Sequence, residues 1–314
     1  MELIPTENGA DSTYDVLIPG DYFCDVIFTG LTEFPALNTE IYSTHLNVVP
    51  GGGALNTTIG LRRLGMNVGW VGRLGNDFFS AFIDQVLQRE GISTAFIERL
   101  DQPLRRVTVA LSYPEDRAFV SYVDDIPDWM DHALALLEHI HVRHIHFPGL
   151  VIDSRLPSML DRCHQLRMSL SMDCQYRGET LSDPLVSEIL ARLDIFMPNA
   201  REAMRLAQTD QIEEAVSALA GLVPYVVIKE GEAGSRAKYQ EQHYHSPVVP
   251  AEVVDTTGAG DAFNAGFLAA YLQGREPVEC LTWGNFCGSR CVRGIGGTST
   301  LPTIEELQQW LRQP

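Results

Sequence analysis

The sequence predicts an α/β protein with a doubly wound, mostly parallel central sheet, helices on both faces and a small β-sheet lid. Three observations support this prediction: a regular strand–helix alternation in the second half of the chain, two glycine-rich turns that each open a helix, and two segments that break the alternation. Repeated strand–helix units with strongly apolar strands are typical of parallel sheets covered on both faces. Ligands of such sheets bind at the carboxyl ends of the strands.

The alternation is regular from about Asp131 onward. Its predicted helix and strand pairs are Asp131–His139 with Arg143–Phe147, Leu156–Leu166 with Ser169–Asp173, Pro184–Ala191 with Ile195–Met197, and Glu213–Gly221 with Val226–Lys229. Earlier in the chain, apolar runs bounded by glycine predict a buried strand at Tyr14–Ile18 and helices at Asn56–Leu64 and Ser80–Glu90. These units predict the main sheet and its covering helices.

Two segments, about residues 31–50 and 104–124, do not follow this alternation. The second segment contains two β-rich runs, Arg106–Leu111 and Ala118–Val123, on either side of a turn, which is the pattern of a hairpin. We therefore predict one domain over residues 14–314 whose lid comes from these segments. Residues 1–13 are polar and lack an apolar core, so they are predicted to be a flexible tail and not a signal peptide.

Composition narrows the class of function. A net charge of −18 and the absence of clustered basic residues argue against nucleic-acid binding. No apolar run is long enough to span a membrane, and the six cysteines form no CxxC pair. Cys280, Cys287 and Cys291 share one helix face, and a stripe of buried thiols is favoured there over a redox or metal site. We therefore expect a soluble, reduced, cytoplasmic protein.

The most informative segment runs from Val253 to Phe267 and contains Asp255-Thr256-Thr257-Gly258-Ala259-Gly260-Asp261. It predicts a short apolar strand at Val253–Val254, a glycine-rich turn and then a helix. Backbone N–H groups at a helix start, together with the helix dipole, attract an anion such as phosphate. A carboxylate at Asp261 could take a proton from an attacking hydroxyl, although Asp is also common at helix starts for purely structural reasons.

A second glycine cluster, Gly51-Gly52-Gly53, precedes a helix that is predicted to begin near Asn56. Its backbone could approach a polar ligand closely. Asn56 could either cap the helix or hydrogen-bond a ligand hydroxyl, and capping is the simpler interpretation of this segment taken alone.

The two clusters, in this order, resemble the two signatures of the ribokinase-like carbohydrate kinases, also called the PfkB family. The first signature extends from Gly51 through Val71-Gly72-Arg73-Leu74-Gly75-Asn76-Asp77, and the second is Asp255–Phe263. The resemblance covers most of the chain, from about Tyr14 to Leu311. It implies an ATP- and Mg²⁺-dependent kinase that phosphorylates a hydroxyl of a sugar or sugar-like substrate and dimerises through its lid.

The resemblance also implies roles for individual residues. Asp261 would be the general base, and the backbone of Gly258, Ala259 and Gly260 would form the anion hole. The expected substrate-binding residues are Asp25, Gly52, Gly53, Asn56 and Arg177, of which Arg177 belongs to an Asp173-x-Gln175-x-Arg177 stretch with Gln175 in place of the usual Asn. We expect Asp25 and Asp261 to meet at the carboxyl edge of one sheet.

On the nucleotide side, the resemblance implicates Asn199, Glu202, Lys229, Gly231, Gly234 and Asn285. Glu202 would act on Mg²⁺ indirectly, and Ala200 replaces a Glu of the family pattern. Asp255 and Thr257 lie where some relatives bind a monovalent cation such as K⁺. Gly53 stands where ribokinases carry Lys, which argues against ribose itself as the substrate.

Several alternatives remain open from the sequence alone. A nucleoside kinase shares this architecture and would need an aromatic wall, for which Phe23, Phe34, Tyr42 and Tyr122 are candidates. A non-catalytic sugar- or nucleotide-binding relative would keep the fold without turnover. The histidines at 139, 141, 144 and 146 suggest a metal cluster, but without an accompanying Asp or Cys a structural role is favoured.

Overall fold

The computed structural model describes residues 14–113, 116–124, 129–137, 140, 142–175 and 178–313. The strands are β1 (Tyr14–Pro19), β2 (Phe23–Thr29), β3 (His45–Gly51), β4 (Val68–Leu74), β5 (Ile97–Arg99), β6 (Arg106–Ser112), β7 (Arg117–Val123), β8 (Val142–Phe147), β9 (Ser169–Asp173), β10 (Ile195–Met197), β11 (Tyr225–Lys229), β12 (Ser235–Tyr239) and β13 (Gln242–Ser246). The helices are α1 (Gly53–Arg63), α2 (Phe78–Glu90), α3 (Trp129–Leu137), α4 (Leu156–Gln165), α5 (Pro184–Leu190), α6 (Ala200–Ala207), α7 (Ile212–Ala220), α8 (Ala259–Leu272), α9 (Pro277–Cys291) and α10 (Ile304–Leu311).

The main sheet has nine strands in the order β13-β12-β11-β10-β9-β8-β1-β4-β5. All neighbours from β11 to β5 are parallel, and β12 and β13 add an antiparallel edge. The core consists of two buried hydrophobic clusters, one on each face of this sheet. The consecutive β1 residues Leu17 and Ile18 pack into different clusters. Alternate side chains of a strand point to opposite faces, so both faces must be covered. The predicted doubly wound α/β fold is confirmed.

Most predicted elements are present with ends that differ by a few residues, and β9 and β10 have the predicted bounds. Several elements were not predicted, including the short strand β5 and the helix α10. Between β10 and β11 the chain forms two helices, α6 and α7, where one helix was predicted. The β12–β13 hairpin was also missed, because its strands are rich in polar residues and lie at the edge of the sheet.

The second sheet has four strands in the order β3-β2-β6-β7. The β6–β7 hairpin pairs as predicted, with Arg106 opposite Val123 and Ser112 opposite Arg117. Strand β2 lies outside both segments from which the lid was predicted, and it pairs with β3 and β6. Asp25 is in this strand, so the expectation that it lies at the carboxyl edge of the main sheet is wrong. The apolar run at residues 23–29 does not by itself reveal which sheet it joins.

The two faces of the small sheet differ in character. Asp25 lies opposite Thr108, and Thr108 lies opposite Ser121, so one face, called here the polar face, carries these polar side chains together with Ile27, Ala110 and Phe119. The other face carries apolar residues from the alternate positions of each strand, among them Leu46 (57% exposed) and Val120 (67% exposed). The polar face is the one that turns toward the main domain, as the lining of the cleft described below shows.

The strand predicted at Val253–Val254 is not formed. These two residues are 62% and 57% exposed, and the backbone N–H groups of Val254 and Asp255 both donate to the carbonyl of Val292 at the end of α9. The segment is therefore an extended loop held by a helix end, because its backbone is bonded to that carbonyl and not to a neighbouring strand.

The cysteine stripe is structural, as favoured: Cys280, Cys287 and Cys291 are all buried free thiols in or at the end of α9. No helix in the described part of the chain is both long enough and apolar enough to cross a membrane.

Candidate active site

The predicted glycine turn leads directly into α8, which begins at Ala259 with Gly258 as its N-cap residue. Gly258 has a left-handed backbone with φ of 75°, and a Cβ at this position would lie 2.5 Å from the Cα of Gly297. Any side chain would therefore push the loop 294–297 away from the turn. Both the conformation and the close contact require glycine here.

The backbone N–H groups of this turn are not equivalent. The N–H of Ala259 donates to the carbonyl of Thr256 at 3.3 Å, whereas within the described residues the N–H groups of Gly258, Gly260 and Asp261 donate to no other group. Donors at a helix start that have no intrahelical partner are suited to bind an anion. The predicted anion hole consisted of the N–H groups of Gly258, Ala259 and Gly260. The available donors are instead those of Gly258, Gly260 and Asp261, because the N–H of Ala259 is already bonded within the turn.

Asp261 lies in the first turn of α8, and one of its carboxylate oxygens accepts a hydrogen bond of 2.8 Å from the side-chain amide of Asn56. Burial raises the pKa of Asp261 to about 6, with Asp173 acting in the same direction and Asn56 and Lys229 opposing it. A carboxylate with this pKa is ionised at neutral pH and binds a proton more strongly than an ordinary Asp. The group is therefore chemically suited to general-base work.

The first glycine cluster brings α1 against this carboxylate. A Cβ at Gly53 would lie 3.1 Å from Oδ1 of Asp261 and 3.2 Å from Nε2 of Gln175. Gly52, with φ of 88°, is the N-cap residue of α1, so the helix begins earlier than predicted and Asn56 lies inside it. The interpretation of Asn56 as a helix cap is therefore wrong; its side chain holds Asp261.

Asp25 lies in the cleft between the small sheet and the glycine turn. Among the described residues no group donates a hydrogen bond to its carboxylate, and burial, aided by the nearby charge of Asp255, raises its pKa to about 6. The cleft has a volume of about 30 Å³ and is lined by Asp25, Ile27, Thr108, Ala110, Ser112, Arg117, Phe119, Asp255 and Thr257. A carboxylate with free acceptor positions beside a narrow cleft can bind hydroxyl groups of a ligand.

A buried polar network supports the turn from the main sheet. Nζ of Lys229, the last residue of β11, lies 2.7 Å from both carboxylate oxygens of Asp173 and 3.3 Å from Oδ1 of Asn264. Asn264 also donates to Asp173 at 2.6 Å. A Cβ at Gly260 would lie 3.4 Å from the same Nζ, so the ammonium is beside the turn. A role for Asn264 was not predicted, because nothing in the sequence distinguishes it from other helical residues.

The predicted nucleotide-side residues occupy several loops. Asn199 and Glu202 form a reciprocal capping box at the start of α6, with hydrogen bonds of 2.8 and 2.9 Å. Gly231 starts a short 3₁₀ turn, and Gly234 has φ of 88° where a Cβ would meet the carbonyl of Ser246 at 2.3 Å. The side-chain amide of Asn285 donates to the carbonyls of Ser246 and Pro247 at 2.9 and 3.0 Å, so it fixes the loop after β13.

Arg117, which the sequence did not single out, reaches from the first residue of β7 to the glycine turn. Its guanidinium forms an ion pair with Asp255 and donates to the hydroxyls of Thr257 at 2.7 Å and Thr256 at 3.0 Å. Although burial alone would raise the pKa of Asp255, the N–H groups of Gly296 and Thr257, the Thr257 hydroxyl and Arg117 together lower it. Sequence reasoning missed this contact because it joins residues 138 positions apart.

Arg177, His139 and His141 lie outside the described residues. His144 and His146 are fully buried, and Ser171 bonds to both rings while Ser169 bonds only to His144. Burial lowers the pKa of His144 to about 3 and that of His146 well below its ordinary value, so both rings are neutral. Among the described residues there is no group of three His, Cys, Asp or Glu side chains able to hold a metal ion.

A larger depression of about 360 Å³ lies along α6, away from these residues. It is lined by Arg201, Met204, Arg205, Gln208, Thr209 and Asp210. None of the predicted site residues lines it, so the candidate site is the narrower cleft, which is lined by the predicted residues Asp25, Asp255 and Thr257.

The fold and this site define the class as an α/β phosphotransferase with a glycine-rich turn at the start of a buried helix. The model of the pfkB family carbohydrate kinases matches residues 25–304. An uncharacterised sugar kinase of Archaeoglobus fulgidus is 29% identical over 250 residues, covering 78% of this chain and 98% of that protein. The chain belongs to the pfkB family of carbohydrate kinases.

Solved structures share the fold over almost the entire chain. Arabidopsis thaliana ribokinase complexed with ribose and ATP matches with a TM-score of 0.83 and 23% identity, covering 96% of this chain and all of that one (100%). A nucleoside kinase of Methanocaldococcus jannaschii matches with a TM-score of 0.77 and 21% identity, covering 96% and 99%. The chain thus has the ribokinase fold, and its family match makes it a kinase of the sugar and nucleoside type.

Proposed function

We propose that the protein transfers the γ-phosphoryl group of ATP to a hydroxyl of a sugar or sugar-like substrate, with Asp261 as the general base. The observation that carries this proposal is the position of the Asp261 carboxylate. It lies in the first turn of α8, next to N–H donors that have no other partner among the described residues, and it is oriented by Asn56. In phosphoryl transfer the protein contributes mainly positioning and charge stabilisation, and this arrangement offers both.

The substrate would bind in the cleft between the small sheet and the turn. Asp25 supplies an unoccupied carboxylate for hydroxyl groups, and Gly52 and Gly53 leave room for the ligand to approach Asp261. Each hydrogen bond between a hydroxyl and an ionised carboxylate is worth about 1.5–3 kcal/mol. Arg177 belongs to this proposal through its position in the sequence motif alone.

The triphosphate would extend from the turn toward the loops after β10 and β11. Lys229 lies beside Gly260 and would stabilise the transferring phosphoryl, while Gly231, Gly234 and Asn285 shape the more distant nucleotide loop. Mg²⁺ is usually held by substrate phosphates, water and one or two carboxylates. Glu202 and Asn199, paired at the start of α6, suit an indirect role through water, and the bound Mg²⁺ would neutralise phosphate charge.

The small sheet would act as a lid. Its polar face lines the cleft, so closure would exclude water from the transferring group and limit futile hydrolysis of ATP. Its apolar outer face, which includes Leu46 and Val120, favours a homodimer formed through the lid. Sedimentation velocity of the protein and of Val120→Lys tests this assembly, since a dimer held by this face should dissociate in the variant.

A nucleoside kinase is a second candidate because one aromatic ring, that of Phe119, lines the cleft and is 57% exposed. Tyr122 lies on the same strand but not in the cleft lining, and Phe34 stacks on Tyr113 elsewhere. We place the reaction in the cytoplasm because ATP is the phosphoryl donor and all six cysteines are free thiols.

The test is an ADP-release screen with Mg²⁺ and ATP across pentoses, hexoses, keto-acid sugars and nucleosides. The expected result is substrate-dependent ADP release by the wild type and almost none by Asp261→Asn. Preference for a sugar over every nucleoside supports the first candidate, and the reverse supports the second. Absence of ADP release with all substrates would instead indicate a binding protein without turnover.

A further inference from the structure

Arg117 connects the lid to the catalytic turn. It is the first residue of β7, and its side chain is only 29% exposed although it stands at the end of a hairpin. Its guanidinium contacts three consecutive residues of the turn, Asp255, Thr256 and Thr257, which begin three residues before Gly258. This is the one place where an ion pair links the described lid strands to the Asp255–Asp261 segment.

The side chains expected to hold a monovalent cation are already engaged. Oδ1 of Asp255 accepts from the N–H of Thr257 at 2.8 Å and from Arg117, and Oδ2 accepts from the N–H of Gly296 at 2.9 Å. The hydroxyl oxygen of Thr257 accepts from Arg117 as well. A potassium ion on Oδ1 of Asp255 or on the Thr257 hydroxyl would have to displace these donors, and an ion on the remaining position of Oδ2 would lie beside a permanent positive charge. The side chains of Asp255 and Thr257 therefore do not fit a monovalent ion.

We infer that Arg117 is the cation of this site: a positioning residue on the lid that holds the catalytic turn through Asp255, Thr256 and Thr257, in place of a bound monovalent ion. This inference rests on the proposed function, since it concerns the turn that would carry the anion hole. It has two consequences. Turnover should not depend on potassium. The turn should reach its catalytically competent geometry only when the small sheet is closed over the cleft.

Arginine suits this task better than lysine would. The guanidinium is planar and always charged, and its fixed donors can bond a carboxylate and neighbouring hydroxyls at the same time. Nη1 contacts Asp255 and Thr257 while Nη2 contacts Thr256, so the bonds diverge from one rigid group. A lysine ammonium on a flexible stem could replace the charge but not this set of directions.

The first experiment needs no variant. Turnover of the wild type is measured in potassium chloride and in N-methyl-D-glucamine chloride at equal ionic strength, together with the melting temperature in both salts. We expect rates that agree within about two-fold and unchanged melting temperatures. A wild type that needs potassium for turnover would overturn the inference. A wild type that is inactive with every substrate would instead contradict the proposed function. In that case the melting temperatures in the two salts would still test whether the protein binds potassium.

The second experiment uses Arg117→Gln, with Arg105→Gln as the matched control. Arg105 is also a lid arginine paired with an aspartate, Asp124, but it does not contact the turn. Losing charge-assisted bonds should lower kcat about ten-fold or more in Arg117→Gln and leave Arg105→Gln near the wild type. Because the role is in positioning, guanidinium at sub-denaturing concentration or potassium should restore part of the rate and raise the melting temperature of Arg117→Gln only.

Normal kcat in a folded Arg117→Gln, or a loss that neither guanidinium nor potassium restores, would overturn the inference. If Arg117→Gln does not melt cooperatively, Arg117→Lys replaces it. Lysine keeps the charge without the divergent bonds, so its rate should fall and should respond to guanidinium. An unchanged rate in Arg117→Lys would overturn the inference as well.

Discussion

The two sides of the cleft are built on different principles. On the main-domain side, the segment from Asp255 to Asp261 is contiguous and supplies backbone N–H donors and two carboxylates at the start of a buried helix. On the lid side, Asp25 and Arg117 come from strands that are far apart in sequence and belong to a small sheet with one exposed face. The first side is suited to fixed geometry and the second to adjustable contact, as expected where rigid scaffolds carry chemistry and lids control access.

This comparison predicts that changes on the main-domain side act mostly on the chemical step. Asp261→Asn should lower kcat by about two to four orders of magnitude, because general-base assistance is typically worth that much. The KM for ATP should stay near its wild-type value. Asp84→Asn, which alters a surface ion pair with Arg99, is a suitable control. Turnover within a few-fold of the wild type in a folded Asp261→Asn would remove the assignment of the base.

The glycine turn offers the next largest effect. Gly258→Ala should lower kcat about 10²- to 10³-fold, since its Cβ would meet Gly297 at 2.5 Å and displace the anion-binding donors. Gly274→Ala is the matched control, because Gly274 also has positive φ, a Cβ there meets nothing within 4 Å, and the residue lies beyond the other end of α8, outside the proposed site. Equal losses in both variants would mean that backbone strain alone, and not the crowding at the turn, explains the effect.

On the lid side we expect an effect on substrate binding. Asp25→Ala should raise the KM for the sugar about ten-fold or more, through the loss of charge-assisted hydrogen bonds, while the KM for ATP changes little. Asp124→Asn is the control, because this lid carboxylate pairs with Arg105 and does not line the cleft. Parallel changes in both KM values would indicate that Asp25 acts only on stability.

The most gradual effects should appear in the pH dependence, because they develop over several pH units. Because burial raises the pKa of Asp261 to about 6, kcat should fall about ten-fold per pH unit below that value as the base becomes protonated. Stability should change in the opposite sense: a carboxylate with a folded pKa above its unfolded value stabilises the fold at low pH and loses this contribution as pH rises through about 6. Asp261→Asn should therefore melt above the wild type at pH 8, and the difference should shrink at pH 4. A rate profile that is flat between pH 5 and 8 would contradict the assignment.

Local chemistry explains how much of the site could be predicted from the sequence. The turn at 255–261 is recognisable because its glycines and Asp261 are consecutive, and their backbone requirements depend on neighbours in the chain. The strand–helix alternation is equally local, since each buried strand and amphipathic helix carries its own period. These features led to the α/β fold, to Asp261 as the proposed general base and to the first glycine cluster.

The remaining features depend on contacts between distant segments. Whether β2 joins the main sheet or the small sheet depends on which strands have free edges. Because β2 pairs in the small sheet, Asp25 lies on the opposite side of the cleft from its predicted position. The hydrogen bond from Asn56 to Asp261 joins residues 205 positions apart, so local periodicity could suggest only a helix cap. Arg117 was indistinguishable in the sequence from any other strand arginine. The sequence by itself determined the chemical groups available and the layered fold, because both follow from local preferences. Only the tertiary structure decided which of those groups face one another across the cleft, because that depends on how two sheets pack.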